Sequence, residues 1–299
     1  ILYSALFRAG CVNKNLMTLR KFGSIYEGHP MPEALKWVKV ATGSLGQGLA
    51  VGIGMALAAK MQGRDYRTYV LMGDSECAEG SVFEAMALAS YYKLNNLCII
   101  IDVNRLGQTR ETMLGHDIES YEARFRELDL EPIPVNGHDI TELLNAFDEA
   151  RKTDEKPVVI LAKTFKGKGV SFLEDKEGWH GKALSPEELE KALIEVPEPR
   201  MPHINIQHPQ KISMSLKKSW GRIHVEYGIG EPVATREAYG NALVKLAEKN
   251  QAIVAIDAEV SNSTYSSKLA KAKPERYIES FIAEQSMIGI ALGLSKKGF

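Results

Sequence analysis

Cysteine is scarce in this chain, and neither sign of charge predominates. Its three cysteines, Cys11, Cys77 and Cys98, include no Cys-x-x-Cys pair, which favours a reducing compartment over a disulfide-bonded scaffold. The 37 basic and 38 acidic residues nearly cancel, so no strong overall field draws the chain to nucleic acid or to an anionic membrane. Uncharged apolar runs of 18 residues are also missing, and we therefore expect no transmembrane helix.

The ends of the chain lack targeting signals. Residue 1 is Ile, with no basic segment or cleavage site after it, so no signal peptide is predicted and we expect a cytoplasmic protein. The chain stops at Phe299, directly after an apolar helical pattern. We expect both ends to be cut, which makes the chain a fragment of a longer subunit. Its 299 residues favour two domains, at roughly 150 residues each.

Short apolar runs alternate with helical patterns through the first two thirds of the chain. Residues 97–103 are almost continuously apolar, which indicates a strand buried on both faces, as in a parallel sheet. Residues 69–72 and 157–162 form similar, shorter runs. Helices are predicted over residues 49–61, 81–94 and 139–150 and from Ser185 onward, the last two with capping-box spacing. This alternation predicts an α/β fold with parallel sheets flanked by helices.

A proline-containing segment separates this pattern from a second one. Residues 197–230 include Pro197, Pro199, Pro202 and Pro209 and show no apolar period, as expected of a linker. After this segment, the pattern predicts a helix over residues 235–249, strands over 252–256 and 277–282, and a helix from Ser286. We therefore expect a second α/β unit beyond the linker.

Polar residues follow two of the predicted strands. Gly73-Asp74-Ser75 follows the first, and Asn104 follows the next after 28 intervening residues. In an open parallel sheet, ligands bind beyond the carboxyl ends of the strands. A carboxylate, an amide oxygen and a nearby backbone carbonyl suit Mg²⁺ or Ca²⁺. Ordinary turn chemistry explains the same residues, and the spacing alone leaves both interpretations open.

Several glycine-containing loops are candidate anion sites. Residues 42–48 precede a helix rich in small residues, and glycines in that position let backbone N–H groups approach a phosphate. Close packing of the helix on a sheet explains these glycines equally well. The basic loop 163–169 and the turn that contains His180 suit an anion, but they also fit a solvated surface. His29, in Glu-Gly-His-Pro, is ambiguous in the same way.

A carboxylate, Glu284, stands between the last predicted strand and an apolar helix. The helix dipole favours a negative charge at this position. A catalytic role fits the same position, and the residue pattern alone does not decide between the two interpretations.

Six short strings of residues follow one another along nearly the whole chain. They are Ala-Thr-Gly-Ser-Leu-Gly-Gln-Gly, Gly-Asp-x-Glu-x-x-Glu-Gly-Ser-Val, Asp-Val-Asn-Arg-Leu-Gly-Gln, Ala-Lys-Thr-Phe-Lys-Gly, Trp-His-Gly-Lys and Ile-Ala-Glu-Gln. With these strings in this order, the chain resembles transketolase, a thiamine diphosphate enzyme, in its animal-type form. The resemblance implies a thiamine-diphosphate-binding fold. Residues 1–196 are then a pyrophosphate-binding domain without its first part, 197–230 a linker, and 231–299 the start of a pyrimidine-binding domain.

The resemblance also implies a role for particular residues. The implied ligands of Mg²⁺ or Ca²⁺ are Asp74, the Asn104 side chain and the Leu106 carbonyl. The residues implied to bind thiamine diphosphate are Leu45, Gly46, Gly73, Ser75, Glu79, Lys166, His180 and Glu284. Of these, Glu79 is also implied to link the two active sites of a homodimer. The implied contacts to sugar-phosphate substrates are His29, Arg236 and Ser263.

The activity that the resemblance implies is transfer of a two-carbon ketol unit from a ketose phosphate to an aldose phosphate, through a thiamine diphosphate ylid, in the pentose phosphate pathway. Glu284, protonated and buried, is expected to hydrogen-bond the aminopyrimidine ring. His29 and His180 are expected to act with it as catalytic residues that move protons. Because the family's active site lies between the two subunits of a homodimer, the fragment alone is expected to be inactive.

One residue departs from the family's pattern. The family usually has Gly-Asp-Gly, and Ser75 stands in place of the second glycine. Its side chain is expected either to crowd the cofactor and weaken its binding or to add a hydrogen bond. Two alternatives therefore stay open: a non-catalytic paralogue with weakened cofactor binding, and a related thiamine diphosphate synthase.

Overall fold

The structure, a computed structural model, describes residues 1–12, 15–196, 216, 218–219 and 221–299. The chain divides into two compact units, of which the first includes residues 1–45 and the second includes residues 46–195 and 221–299. Most of the predicted linker, residues 197–230, lies outside the described residues, so its boundaries stay a prediction. Within the described part of the chain, none of the helices has both the length and the apolar character needed to cross a bilayer.

The first unit begins with helix α1 (Leu2–Arg8) and contains a 3₁₀ turn at Leu16–Thr18. Buried Tyr26 meets the ring of Tyr3 edge-on, with 5.1 Å between the ring centroids. The Tyr3 hydroxyl also donates a hydrogen bond to the Glu27 carbonyl at 2.6 Å. These contacts anchor the segment that leads to His29.

A four-stranded parallel sheet lies at the centre of the second unit. Strands β1 (Thr68–Gly73), β2 (Leu97–Val103), β3 (Glu131–Asn136) and β4 (Val158–Lys163) are arranged in the order β1-β2-β4-β3. The sequence predicts β1, β2 and β4 to within one residue at each end. It misses β3, because Pro132 and Pro134 interrupt the β pattern. The sheet tolerates these prolines because β3 is an edge strand.

Five helices accompany this sheet: α2 (Gln47–Met61), α3 (Gly80–Tyr91), α4 (Ile118–Glu127), α5 (Ile140–Lys152) and α6 (Pro186–Glu195). The capping box predicted for α6 is complete, since the side chains of Ser185 and Glu188 each accept a hydrogen bond from the other's backbone N–H. The box predicted for α5 is half formed. Asp139 caps the helix, but the Glu142 carboxylate accepts from the Asn136 N–H instead of reaching back to the cap.

The remainder of the second unit contains two short parallel strands, β5 (Ala255–Asp257) and β6 (Tyr277–Glu279), and helices α7 (Thr235–Lys249), α8 (Ser261–Thr264), α9 (Ser267–Ala272) and α10 (Glu284–Lys296). The strands predicted over 252–256 and 277–282 are wrong in extent, since each has only three residues. Phe281 has a φ of 52°, which turns the chain away from the sheet. Helix α10 begins two residues before its predicted start.

Helices α2 and α10 approach so closely that their backbones touch. A Cβ on Gly54 would lie 2.1 Å from the Ile290 carbonyl oxygen, and a Cβ on Gly293 would lie 2.1 Å from the Val51 carbonyl oxygen. Only residues without a side chain fit at such a crossing. The crossing joins the predicted pyrophosphate-binding and pyrimidine-binding segments into one core and brings the N-terminus of α10 to the start of α3.

Candidate cofactor site

The predicted metal ligands lie at the ends of two neighbouring strands. In the parallel pair β1–β2, Gly73 is the register partner of Asp102. The next residue, Asp74, donates its backbone N–H to the Asp102 carbonyl at 3.3 Å, and Asn104 follows two residues later. The strand-end arrangement expected from the sequence is therefore present.

The Asp74 side chain is buried, with 5% of its surface exposed. One carboxylate oxygen accepts the Ser75 N–H at 2.8 Å, and the other accepts the Arg105 N–H at 2.7 Å and the Thr112 hydroxyl at 3.4 Å. Burial raises the pKa of this carboxyl, while the hydrogen bonds from the backbone N–H groups oppose that shift. The side chain is thus fixed in orientation but removed from bulk water.

A hydrogen-bonded cluster connects the other predicted ligands to Lys166. The Asn104 amide oxygen accepts the Leu106 N–H at 3.2 Å, and the Leu106 carbonyl accepts the Lys166 ammonium at 2.6 Å. The Leu106 oxygen therefore faces a position that a cation can reach. Carboxylate, amide and carbonyl oxygens at adjacent strand ends fit Mg²⁺ or Ca²⁺ in type. The Lys166 ammonium beside them fits the negative charge of a diphosphate.

An ion pair that the sequence did not point to holds the loop of Lys166. The Arg105 guanidinium donates to the Asp175 carboxylate at 2.8 Å, and the Asp175 N–H donates to the Lys166 carbonyl at 2.8 Å. Arg105 and Asp175 have positive φ values of 60° and 57°, which are uncommon for residues other than glycine. Neither residue carries a spacing signal, because the pair joins positions 70 residues apart.

The glycine loop before α2 is arranged differently from the phosphate cradle considered above. Gly46, the N-cap of α2, has a φ of 79°. Its N–H donates to the Glu76 carboxylate at 2.8 Å, and its carbonyl accepts the Ser81 hydroxyl at 3.3 Å. The Gly46 N–H is therefore already paired in this structure, because a carboxylate accepts that hydrogen. Gly73 donates its N–H to the same carboxylate at 3.2 Å.

Ser75 is exposed and begins a 3₁₀ turn, Ser75–Ala78. It is absent from the residues with positive φ, so the backbone here does not require glycine. The Ser75 hydroxyl lies 3.2 Å from the point where a Cβ on Gly107 would stand. The side chain thus faces the loop that follows Asn104, where a glycine leaves room for it.

The two predicted glutamates, Glu79 and Glu284, are both exposed. Glu79 is the N-cap of α3, and Glu284 is the first residue of α10. The burial expected for Glu284 is therefore not found within the single chain. Two groups on α3 fix the start of α10: the Glu84 carboxylate accepts the Ser286 N–H at 3.2 Å, and the Ser81 carbonyl accepts the Ser286 hydroxyl at 3.2 Å.

Arg236 and Ser263, the predicted phosphate contacts, lie on adjoining elements. The Arg236 guanidinium lies 5.6 Å from the ring centroid of Tyr265, two residues after Ser263. Buried Asp257 holds the turn that follows Ser263, since it accepts hydrogen bonds from the Thr264 and Ser266 hydroxyls, both at 2.8 Å. Both predicted contacts are exposed.

The remaining predicted residues are His29, Leu45 and His180. A Cβ on Gly43 would lie 2.3 Å from the His29 imidazole, so two of the sequence motifs meet within the first unit. Leu45, in the same unit, has 54% of its surface exposed. His180 is exposed in the turn after Trp179, and among the residues that the structure describes no hydrogen bond joins it to the cluster around Asp74.

Family models and known proteins agree with this arrangement. Residues 1–220 match the thiamine diphosphate binding domain of transketolase, and residues 231–299 match the pyrimidine binding domain of transketolase. Transketolase-like protein 2 of Mus musculus is 43% identical over 307 residues, which cover 100% of this chain and 48% of that protein. Human transketolase is 40% identical over 313 residues, which cover 99% of this chain and 48% of that protein. The chain spans about half the length of the curated relatives it matches.

A solved structure confirms the predicted α/β fold with parallel sheets flanked by helices. Transketolase from Campylobacter jejuni superimposes with a TM-score of 0.84 at 27% identity, over 99% of this chain and 53% of that chain. Two transketolase family models match consecutive parts of the chain. The fold and the 40% identity to human transketolase agree with them. The chain belongs to the transketolase family.

Proposed function

We propose that this chain supplies the cofactor-binding half of an enzyme that transfers a two-carbon ketol unit from a ketose phosphate to an aldose phosphate. The observation that carries the proposal is the connected cluster of Asp74, Asn104, Leu106 and Lys166 at adjacent strand ends. Residues 1–196 and 231–299 then act as pyrophosphate-binding and pyrimidine-binding parts, joined by the linker 197–230. A cytoplasmic place in the pentose phosphate pathway belongs to the same proposal.

Thiamine diphosphate, when bound, supplies the carbon nucleophile and electron sink that this reaction needs. In the proposal, Asp74, Asn104 and the Leu106 carbonyl hold Mg²⁺ or Ca²⁺, and the Lys166 ammonium neutralises the diphosphate. Gly73, Ser75, Leu45 and Gly46 line the cofactor. Gly46 does so through shape, because its polar backbone groups are already paired. These residues bind and orient the cofactor.

Proton transfer and substrate binding are assigned to side chains exposed in the single chain. Glu284 hydrogen-bonds the aminopyrimidine ring, and His29 and His180 hold and move protons of the sugar near neutral pH. Arg236 and Ser263 bind the phosphate group of the substrate.

A homodimer with the active site between its subunits accounts for the exposure of Glu284. Ile282 and Ile288, on either side of Glu284 in the sequence, have 72% and 66% of their surface exposed. A partner subunit that covers them would also bury the glutamate. Glu79, exposed beside Gly46, is placed in the same interface.

The test is a calorimetric titration of thiamine diphosphate with Mg²⁺ into the intact protein that contains this chain. Wild type is compared with Asp74→Ala and with Asp65→Ala, which changes an exposed aspartate outside the cluster. Metal-dependent binding that Asp74→Ala abolishes and Asp65→Ala retains supports the proposal. A wild-type protein that binds no cofactor, or an Asp74→Ala variant with unchanged affinity, overturns it.

A second candidate function, a non-catalytic paralogue, is favoured by Ser75. Under this proposal the hydroxyl that faces Gly107 weakens cofactor binding, and Ser75→Gly raises both cofactor affinity and ketol transfer. No change on this substitution argues against the paralogue. A related thiamine diphosphate synthase is distinguished by comparing donor and acceptor sugars, and the Trp-His-Gly-Lys string at 179–182 together with Arg236 favours transketolase over it.

A further inference from the structure

One side chain, Glu76, connects two segments to which the proposed function assigns cofactor binding. Its carboxylate accepts the Gly46 N–H at 2.8 Å with one oxygen and the Gly73 N–H at 3.2 Å with the other. Gly46 begins α2, and Gly73 ends β1. The same carboxylate therefore fixes the distance between the start of α2 and the strand end that presents Asp74.

Gly46 depends on this contact because its conformation leaves few alternatives. Its φ of 79° is in the left-handed region, which residues with a side chain rarely adopt. A Cβ there would lie 2.6 Å from the Ser81 hydroxyl and 2.8 Å from the Glu79 Cβ. With Ser81 holding the carbonyl and Glu76 holding the N–H, both backbone groups of Gly46 are fixed from one segment, residues 76–81.

Charge makes Glu76 suited to this position. The N-terminus of a helix carries a partial positive charge, which a carboxylate stabilises. Hydrogen bonds to an ionised acceptor are also stronger than those between neutral groups. Glu76 and Asp74 come from the same turn, with Asp74 as the N-cap of Ser75–Ala78, so one short turn orients the proposed metal ligand on one side and the start of α2 on the other.

We propose that Glu76 is a positioning residue of the cofactor site. It does not touch the cofactor; it holds Gly46 at the start of α2 and the Asp74 turn at the separation that binding requires. The inference rests on the proposed function for the identity of the ligand, and on the two hydrogen bonds for the role of the side chain. The sequence strings include this glutamate, but the resemblance assigned it no role.

The experiment compares wild type with Glu76→Ala, Glu76→Gln and the exposed control Glu190→Gln in the intact protein that contains this chain. Calorimetry gives the Kd of thiamine diphosphate at saturating Mg²⁺, and amide hydrogen exchange reports on Gly46 and Gly73. We expect Glu76→Ala to raise the Kd about tenfold, the ratio that corresponds to ~1.4 kcal/mol. Exchange at both amides should become faster. For Glu76→Gln, the Kd and the exchange rates should lie between those of wild type and Glu76→Ala, because the single amide oxygen replaces only one of the two carboxylate acceptors.

A purely structural role predicts a different result: a lower unfolding temperature with an unchanged Kd, and that result overturns the inference. An equal Kd for the Ala and Gln variants, or unchanged exchange at both amides, also overturns it. If Glu76→Ala does not fold, Glu76→Gln alone decides by the same two measurements. If wild type binds no thiamine diphosphate, the proposed function fails, while the exchange rates at Gly46 and Gly73 still decide whether Glu76 holds the two segments together.

Discussion

The Lys166 ammonium lies 2.6 Å from the carbonyl oxygen of Leu106, a backbone group implied as a metal ligand. The contact joins the loop after β4 to the loop after β2, which are neighbouring strands of the sheet. It places the positive charge assigned to the diphosphate next to the oxygens assigned to the divalent cation. One patch at the carboxyl end of the sheet therefore serves both assignments.

Replacement of Lys166 tests this patch. We expect Lys166→Met to weaken the binding of thiamine diphosphate about tenfold, since a charge-assisted contact to phosphate is lost. Lys166→Arg should retain part of the affinity, because the charge remains. Calorimetry at low and high salt measures the effect, with Lys152→Met on the exposed face of α5 as the control. If Lys166→Met binds thiamine diphosphate as tightly as wild type does, Lys166 is not part of the cofactor site.

Arg236 provides a test of the proposed substrate. We expect Arg236→Ala to raise the KM for a phosphorylated ketose donor about tenfold, because a guanidinium–phosphate contact is lost. The kinetic constants for the same ketose without its phosphate should not change. Steady-state kinetics on the intact protein measures both donors, with Arg151→Ala as the exposed control. An equal loss for the two donors would show that Arg236 does not recognise the phosphate.

Tyr92 gives a prediction about alkaline pH. Its hydroxyl donates to the Glu279 carbonyl at 2.7 Å and accepts the Glu279 N–H at 2.9 Å, which ties α3 to β6. Tyr92→Phe should lower the free energy of unfolding by about 1 kcal/mol at neutral pH, because these part-buried backbone groups of Glu279 lose a partner. Urea unfolding of both proteins measures the difference.

The pH dependence of this difference follows from the same side chain. Burial raises the pKa of Tyr92 from 10.0 to about 12. Between these values the unfolded chain releases the proton while the folded chain keeps it, so stability falls as pH rises through the window. The advantage of wild type over Tyr92→Phe should therefore shrink from pH 10 to 12. A constant difference across this window would contradict the assignment.

Local patterns predict much of the fold, because they act over a few residues. The apolar run at 97–103 and the cap at Ser185 give β2 and the start of α6 correctly. The sequence misses α4, since only Tyr121 and Phe125 are buried in it and its other residues are mostly polar. It overextends β6, because nothing in the pattern shows that Phe281 takes a positive φ.

In the candidate site, too, some residues are predicted from local sequence and others are not. Asp74 and Asn104 are predicted from their places after two strands, which parallel pairing brings together. The roles of Arg105 and Glu76 depend on hydrogen bonds to Asp175 and Gly46, residues that are distant in sequence. No spacing rule covers such contacts, and only the folded chain reveals them.

The close crossing of α2 and α10 supplies the last prediction. We expect Gly54→Ala to lower the free energy of unfolding by about 3 kcal/mol, the upper part of the range for overpacked cores. The reason is that the new Cβ would lie 2.1 Å from the Ile290 carbonyl oxygen, where backbone and not a flexible side chain must move. Urea or thermal unfolding measures the change.

Gly80→Ala is the matched control, because Gly80 lies in the first turn of α3 and a Cβ there meets no atom within 4 Å. This substitution should leave stability unchanged or raise it slightly, since alanine has the higher helix propensity. If both variants lose the same stability, the effect comes from glycine replacement in general. If Gly54→Ala alone is destabilised, the loss comes from the backbone contact between α2 and α10.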